Sequence, residues 1–235
     1  MTLLIDAKHL SKTFILHQQD GLALPVLDQV SLQVSAGECV ALTGPSGAGK
    51  STLLKALYAN YLLQHGSINI FHQGNWVDMT TALPHEIAEV RRRTLGYVSQ
   101  FLRVIPRVSA LDIVAEPLQE WGASATQARQ CAGEWLSRLN IAERLWRLPP
   151  ATFSGGEQQR VNIARGMIAP RPIMLLDEPT ASLDAGNRQI VIELMHEARA
   201  RGAALVGIFH DEATRDAIAN RIYSVPCVRQ TEAAT

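Results

Sequence analysis

The chain has 235 residues, of which 47% are hydrophobic and 19% charged, a composition typical of a folded globular protein. Its 22 Lys and Arg residues balance 22 Asp and Glu residues, which excludes the overall basic excess typical of proteins that wrap nucleic acid or lie on anionic membranes. The three cysteines, Cys39, Cys131 and Cys227, have no paired spacing. We therefore expect a cytoplasmic protein without a disulfide framework or a zinc site.

The distribution of apolar residues disfavours secreted and membrane-spanning proteins. The first apolar stretch, residues 3–5, is interrupted by Asp6 and is far too short for the core of a signal peptide. The longest apolar run, residues 203–209, has the length of a buried strand, whereas about 18 consecutive apolar residues are needed to span a bilayer. If the protein works at a membrane, we expect another chain to cross it.

The N-terminal pattern predicts strands that lead into a helix. Residues 30–34 alternate between apolar and polar, and residues 39–42 form a short apolar run, which together predict a hairpin that feeds a buried strand. Residues 51–60 carry apolar side chains at helical spacing. The glycine-rich segment 44–49 therefore lies between a predicted strand and a predicted helix.

The middle of the chain is predicted to be a helical insertion. Residues 109–139 have a helical pattern, with Ser109 as a cap and residues 125–139 as a second helix. Arg91, Arg92 and Arg93 form the densest charge run, which we interpret as a solvated helix end.

The later segments alternate between buried strands and amphipathic helices. Residues 173–176 and 204–209 are apolar runs of strand length, and residues 187–200 between them have one apolar helical face. This alternation predicts a parallel sheet that is covered by helices on both faces.

The strongest motif is a phosphate-binding loop of the form G-x-x-x-x-G-K-[ST] at residues 44–51. Backbone N–H groups of such a loop and the positive end of the following helix bind phosphate oxygens, and glycines let the backbone approach them closely. Lys50 adds a positive charge at the terminal phosphates, and Ser51 offers a hydroxyl to Mg²⁺. The predicted phosphate-binding residues are Gly44, Pro45, Ser46, Gly47, Ala48, Gly49, Lys50, Ser51 and Thr52.

Two carboxylates follow the buried strand at residues 173–176. Asp177 lies at the carboxyl end of this strand, where ligands of parallel sheets collect, and it can reach a Mg²⁺ ion beside the phosphate-binding loop. Glu178 is placed to orient or deprotonate a water molecule that attacks the terminal phosphate.

A second anion-binding motif occurs at residues 153–157, which read FSGGE. Ser154 is predicted to cap a helix whose first turn is glycine, so that N–H groups and a hydroxyl face an anion. A chain whose phosphate-binding loop already holds the phosphates has no evident need for such a site. The presence of both anion-binding motifs in one chain favours a composite site shared by two subunits.

With this motif the sequence resembles the ATP-binding-cassette (ABC) ATPases, and the resemblance covers the whole chain. It implies an α/β fold of the ABC P-loop NTPase type in a single domain, residues 1–235. The implied domain has a mostly parallel sheet core, an N-terminal antiparallel β subdomain and a helical subdomain at roughly residues 101–168. It also implies Mg²⁺-dependent ATP hydrolysis in a homodimer or in a heterodimer with a related ABC ATPase.

The resemblance assigns roles to further residues. Gln100 contacts Mg²⁺ and the attacking water, His210 touches the γ-phosphate, Asp184 lies at the dimer seam, and Phe14 stacks on adenine. By resemblance, the serine-glycine-glycine motif completes the ATP site of the opposite subunit, so Ser154, Gly155, Gly156 and Glu157 join the ATP-binding set. The motif departs from its commonest form, with Phe153 in place of leucine and Glu157 in place of glutamine. Because neither change removes the serine or the second glycine, we expect the site to work.

Several segments, mostly outside the shared motifs, resemble the ATP-binding subunits of the bacterial carbon-phosphorus lyase system. They are residues 11–19, 57–62, 98–107, 152–166 and 208–212. The resemblance implies that the chain and other lyase subunits couple methylphosphonate to ATP, which yields α-D-ribose 1-methylphosphonate 5-triphosphate. Because that reaction keeps the triphosphate intact, we hypothesise that this subunit hydrolyses a separate ATP molecule to drive a conformational step.

Other functions stay open or are disfavoured. The motor subunit of an ABC membrane transporter has the same motifs, and the segment after Gln100 is where such a motor receives its membrane subunit. A DNA-organising ATPase needs a coiled-coil insertion or a basic face, and the balanced charge offers neither. A kinase is disfavoured because Asp177, Glu178 and the second anion site favour water as the phosphoryl acceptor.

Overall fold

The structure, a computed structural model, describes residues 2–16, 21–102 and 106–228. Parts of two segments that carry the sequence resemblance, residues 17–19 and 103–105, lie outside the described residues. The strands are β1 (Leu3–Leu16), β2 (Leu22–Ser35), β3 (Cys39–Thr43), β4 (His65–His72), β5 (Asn75–Asp78), β6 (Leu95–Val98), β7 (Ile173–Asp177), β8 (Ala204–Ile208) and β9 (Arg221–Ser224).

The helices flank these strands. They are α1 (Lys50–Leu57), α2 (Pro84–Arg93), α3 (Ala110–Glu120), α4 (Ala125–Arg138), α5 (Gly155–Met167), α6 (Ala185–Ala200) and α7 (Glu212–Ile218), with short 3₁₀ helices at Glu143–Leu145 and Pro150–Thr152.

The strands of the described residues form two sheets. The N-terminal sheet is antiparallel in the order β2-β1-β4-β5, and the second sheet is parallel in the order β6-β7-β8-β3-β9. Every residue of β7 and β8 is buried, as expected for strands covered on both faces. The predicted α/β fold, with a parallel core and an N-terminal antiparallel sheet, is confirmed.

The hairpin predicted between residues 30–34 and 39–42 is wrong. Strand β2 pairs with β1, with Leu10 opposite Val30 and Ala7 opposite Leu32, whereas β3 pairs with β8 and β9 in the other sheet. The reason is the different burial of the two strands. The alternating residues of β2 suit a sheet with one solvated face, and the continuous apolar run of β3 suits the interior of a parallel sheet.

Helices α3, α4 and α5 pack on one another through a core that continues to the parallel sheet. Ile113, Leu136 and Ile163 are fully or almost fully buried in this cluster. Ser109 caps α3 as predicted, since its hydroxyl accepts a hydrogen bond from the Asp112 N–H at 3.1 Å. The helix predicted from residue 51 to 60 ends earlier, at Leu57, and Ala59 beyond it has a positive φ of 57°.

The start of strand β4 contains a glycine that the packing requires. Gly66 has a φ of 99°, and a Cβ there would lie 2.5 Å from the backbone oxygen of Lys8 in the adjacent strand β1. Gly74, in the β4–β5 turn, has a similar φ of 91°, but a Cβ there would have nothing within 4 Å. The two glycines have similar positive φ angles and differ strongly in the space around them.

We therefore predict that Gly66→Ala costs more stability than Gly74→Ala. Placing alanine at a positive φ costs about 1 kcal/mol at either position, and the backbone collision adds a further ~1–3 kcal/mol at Gly66 alone. Chemical denaturation of both variants measures the difference. Equal free energies of unfolding would show that the sheet relaxes freely around residue 66.

Candidate functional site

The parallel sheet brings the sequence-predicted groups to one edge. The phosphate-binding loop follows β3, the Asp177–Glu178 pair ends and follows β7, and His210 follows β8, which lies between β7 and β3. Gln100 follows β6, on the other side of β7. Four adjacent parallel strands therefore deliver these groups to the same edge of the sheet.

The phosphate-binding loop has a backbone that only glycine fits at its end. Gly49 lies directly before α1 with a φ of 87°, and a Cβ there would lie 2.7 Å from the backbone oxygen of Val26. Because glycine has no side chain to cap α1, the first N–H groups of the helix are available to an anion. The Lys50 ammonium group donates hydrogen bonds to the backbone oxygens of Gly44 at 2.8 Å and Pro45 at 2.9 Å. The positively charged end of Lys50 therefore lies against the backbone of the phosphate-binding loop.

The predicted metal-binding oxygens meet across the sheet. The Ser51 hydroxyl donates a hydrogen bond to Asp177 Oδ1 at 3.1 Å, although the two residues are far apart in sequence. Asp177 is 5% exposed, so its carboxylate is held almost entirely within the protein. A hydroxyl beside one carboxylate fits Mg²⁺, which binds through few carboxylates, substrate phosphates and water.

The described residues offer no cluster of acidic, histidine or cysteine side chains that would hold a metal ion by itself. Among the residues that the structure describes, no group of three or more His, Cys, Asp or Glu side chains could hold a metal ion. A Mg²⁺ ion bound by Ser51 and Asp177 therefore depends on phosphate oxygens for part of its coordination.

Glu178 and Gln100 form a second contact at this edge. The Gln100 amide donates a hydrogen bond to Glu178 Oε2 at 3.1 Å, and the Glu178 N–H donates to the Ile208 carbonyl at 3.0 Å. Glu178 has a φ of 51°, in the left-handed region that residues other than glycine seldom occupy. Strained backbone of this kind clusters at functional sites, where the surrounding structure holds it in place.

The helix cap predicted at Ser154 is present, and Glu157 completes it. The Ser154 hydroxyl and N–H group donate to Glu157 Oε2 at 2.7 and 2.9 Å, and the hydroxyl oxygen accepts from the Glu157 N–H at 3.3 Å. These donors lower the pKa of the Glu157 carboxyl group, which is therefore ionised at neutral pH. An incoming phosphate must compete with this carboxylate for the Ser154 hydroxyl.

Asp184 and Phe14 have clear local contacts. Asp184 caps α6 by accepting a hydrogen bond from the Asn187 N–H at 2.9 Å, and this bond lowers the pKa of its carboxyl group. The half-buried Phe14 ring packs edge-on against Tyr61, with 5.2 Å between the ring centroids, and the Lys12 ammonium lies 4.9 Å from the Phe14 centroid. His210 is exposed and makes no hydrogen bond to the described residues.

Sequence reasoning missed two buried contacts that connect α5 to the site. The Asn162 amide donates to the Ser99 carbonyl at 2.6 Å, and the Gln159 amide donates to the Pro179 carbonyl at 3.0 Å. Both side chains are buried polar groups, so these bonds fix α5 against the loops that carry Gln100 and Glu178. The one feature of the sequence that points to these contacts is the position of both residues on the buried face of α5.

Tyr97 is a further residue that the motifs did not reveal. Its hydroxyl donates a hydrogen bond to Asp177 Oδ2 at 3.1 Å. Burial and the nearby Asp177 carboxylate raise the pKa of Tyr97 above its ordinary value, so the hydroxyl keeps its proton. Its place on β6, next to β7, is a consequence of strand order and is not visible in the sequence.

No described helix is both long enough and apolar enough to cross a membrane.

Comparisons with known proteins agree with this geometry. Residues 27–181 match the family model described as ABC transporter. The chain is 38% identical over 209 residues to the lipoprotein-releasing system ATP-binding protein LolD of Idiomarina loihiensis, and the match covers 88% of each chain. It is also 38% identical over 188 residues to the macrolide export ATP-binding/permease protein MacB of Burkholderia thailandensis, covering 80% of this chain and 28% of that protein.

Solved structures show the same fold. A dimeric post-hydrolysis state of the ATP-binding cassette MJ0796, bound to ADP and Pi, has a TM-score of 0.84 and 28% sequence identity over 94% of each chain. A dimeric structure of MJ0796 described as a bacterial ABC transporter cassette has a TM-score of 0.85 and 30% identity, again over 94% of each chain. The chain therefore belongs to the ABC transporter ATPase family, whose members bind and hydrolyse ATP.

Proposed function

We propose that this chain is the Mg²⁺-dependent, ATP-hydrolysing subunit of a larger cytoplasmic or membrane-associated assembly. The observation that carries the proposal is the pair of contacts at the sheet edge. Ser51 meets Asp177 and Gln100 meets Glu178, each at 3.1 Å. The first contact joins the predicted metal ligands, and the second joins the predicted base to the residue that positions the attacking water.

Different residues of the site have different roles in ATP binding and hydrolysis. Loop amides and Lys50 hold the phosphate chain, and Ser51, Asp177 and Gln100 are the residues that would hold Mg²⁺. When bound, the ion neutralises charge that develops on the phosphate oxygens. Glu178 orients a water molecule toward the γ-phosphate and accepts its proton, while His210 reaches the same phosphate from the adjacent strand end.

The second anion site supports a dimer. Ser154 and the two glycines after it lie at the N-terminus of α5, where N–H groups are available to a phosphate held by another chain. The two MJ0796 structures are both described as dimeric. Two chains placed head to tail would then enclose two nucleotides, each held by the phosphate-binding loop of one chain and by Ser154 of the other.

The relatives favour a membrane transporter as the partner. LolD is an ATP-binding protein of a lipoprotein-releasing system, and MacB joins an ATP-binding part to a permease in one chain. In that role, this chain hydrolyses ATP in the cytoplasm, and a separate membrane protein moves the cargo.

A second candidate partner is the carbon-phosphorus lyase system, in which the chain would act as its PhnL subunit. The support is the resemblance of segments such as residues 57–62 and 208–212. Segment 57–62 lies outside the motifs shared by all ABC ATPases, whereas segment 208–212 surrounds the shared His210. The comparisons supply support for the transporter and none for the lyase, and we therefore place the transporter first.

We predict that Glu178→Gln stops phosphate release but preserves MgATP binding. The amide keeps the hydrogen-bonding shape of the side chain and cannot accept a proton from water, so the rate of phosphate release should fall at least ~100-fold. Glu143→Gln, a change at an exposed position in a 3₁₀ helix, is the matched control. Phosphate release and equilibrium ATP binding are measured for both variants. Unchanged release by Glu178→Gln would overturn its assignment as the base.

The composite site predicts that two inactive variants restore activity when mixed. Lys50→Ala disables the phosphate-binding loop, and Ser154→Leu disables the site offered to the partner. In a mixed dimer, one of the two ATP sites combines only unaltered residues. A 1:1 mixture should therefore recover about a quarter of the wild-type ATPase rate, because half of the dimers are mixed. Absence of recovery would show that each ATP site lies within a single chain.

Capture of partners distinguishes the two candidate assemblies. The Glu178→Gln chain, held in its nucleotide-bound state, is tagged and purified from its native cells with a mild detergent. An integral membrane protein that is retained with ATP and released without it supports the transporter. Retention of carbon-phosphorus lyase subunits without a membrane protein supports the lyase and overturns the transporter.

A further inference from the structure

The Asp177 carboxylate is held from two sides by hydroxyl groups. Ser51 donates to Oδ1 and Tyr97 donates to Oδ2, each at 3.1 Å. Ser51 belongs to the phosphate-binding loop, whereas Tyr97 lies on the neighbouring strand β6 and belongs to no nucleotide-binding motif. A carboxylate held by a donor on each oxygen has a fixed rotation about its side-chain bonds.

The ring of Tyr97 is itself fixed by a stack of side chains. It packs against the Tyr58 ring with 5.1 Å between centroids and an interplanar angle of 33°. The Arg91 guanidinium lies 4.6 Å from the Tyr58 centroid on a ring face and donates two hydrogen bonds to the Tyr58 carbonyl, at 3.0 and 2.8 Å. The hydroxyl of Tyr97 is therefore presented to Asp177 by a rigid support.

Residue 58 belongs to the segment 57–62 that the sequence singles out and that the ATP-binding motifs leave unexplained. Tyr58 is the C-cap residue directly after α1, the helix that begins with Lys50 and Ser51. The stack of Arg91, Tyr58 and Tyr97 thus connects the C-terminal end of α1 to the Asp177 carboxylate. This carboxylate accepts a hydrogen bond from Ser51 in the first turn of the same helix. All three side chains and Asp177 line one cavity of about 920 Å³.

We propose that Tyr97 is a positioning residue for magnesium binding, which holds the Asp177 carboxylate in the orientation that presents Oδ1 to Ser51 and to the ion. The inference rests on the proposed function, since it concerns the same metal site. Without the Tyr97 hydroxyl, the carboxylate rotates more freely, and Mg²⁺ binding must then include the free-energy cost of ordering it. ATP itself is held by the loop amides and Lys50, so nucleotide affinity without the metal does not depend on Tyr97.

The test compares Tyr97→Phe with Tyr58→Phe, its matched control. Both variants keep their rings and lose one hydroxyl, and the Tyr58 hydroxyl donates to none of the described residues. ATP affinity is measured by calorimetry in EDTA and across a Mg²⁺ titration. We expect Tyr97→Phe to raise the Mg²⁺ concentration for half-maximal binding about tenfold, the loss typical of one charge-assisted hydrogen bond, with affinity in EDTA unchanged. Tyr58→Phe should change neither quantity.

Each other outcome has a definite meaning. An unchanged Mg²⁺ requirement in Tyr97→Phe, or an equal loss of affinity with and without Mg²⁺, overturns the positioning role. If Tyr97→Phe fails to fold, Arg91→Ala, which removes support from the stack, must raise the Mg²⁺ requirement at least about twofold for the inference to stand. A wild-type chain that binds no ATP under either condition overturns the proposed function instead.

Discussion

The arrangement of the parallel sheet is the constraint on which the rest of the structure depends. Strands β6, β7, β8 and β3 lie side by side and run in one direction, so their carboxyl ends form a single edge. The contact between Ser51 and Asp177 exists only because β3 and β7 both end at this edge with β8 between them. The same edge places Gln100 against Glu178. The observed register matters for the site, because a one-residue shift of β7 against β6 and β8 would displace Asp177 and Glu178 from the groups that they contact.

The helical part of the chain is joined to this edge by buried polar bonds. The side-chain amides of Asn162 and Gln159 on α5 donate hydrogen bonds to the carbonyl groups of Ser99 and Pro179, which are adjacent in sequence to Gln100 and Glu178. The N-terminus of α5 carries Ser154, the group assigned to a second subunit's nucleotide. If α5 moves when the proposed dimer forms, these hydrogen bonds would shift the loops that carry Gln100 and Glu178. Dimer formation would in this way affect ATP hydrolysis.

Much of the site was predictable from sequence because its chemistry depends on local spacing. The phosphate-binding loop, the carboxylates at the end of β7 and the cap at Ser154 each occupy a few consecutive residues, and the structure has all three where they were expected. The partner was harder to predict, because a shared ATPase domain drives different assemblies. Segments outside the motifs favoured the carbon-phosphorus lyase, whereas the named relatives favour a transporter.

The sequence by itself determined the α/β class, the phosphate-binding loop and the identity of the groups at the strand ends, since these follow from hydrophobic period and short motifs. Only the tertiary structure decided which strands are neighbours. It placed β2 and β3 in different sheets, corrected the predicted hairpin, and brought Tyr97 on β6 to Asp177 on β7. The physical reason is that strand order is set by long-range packing of buried surfaces, and local sequence carries little information about it.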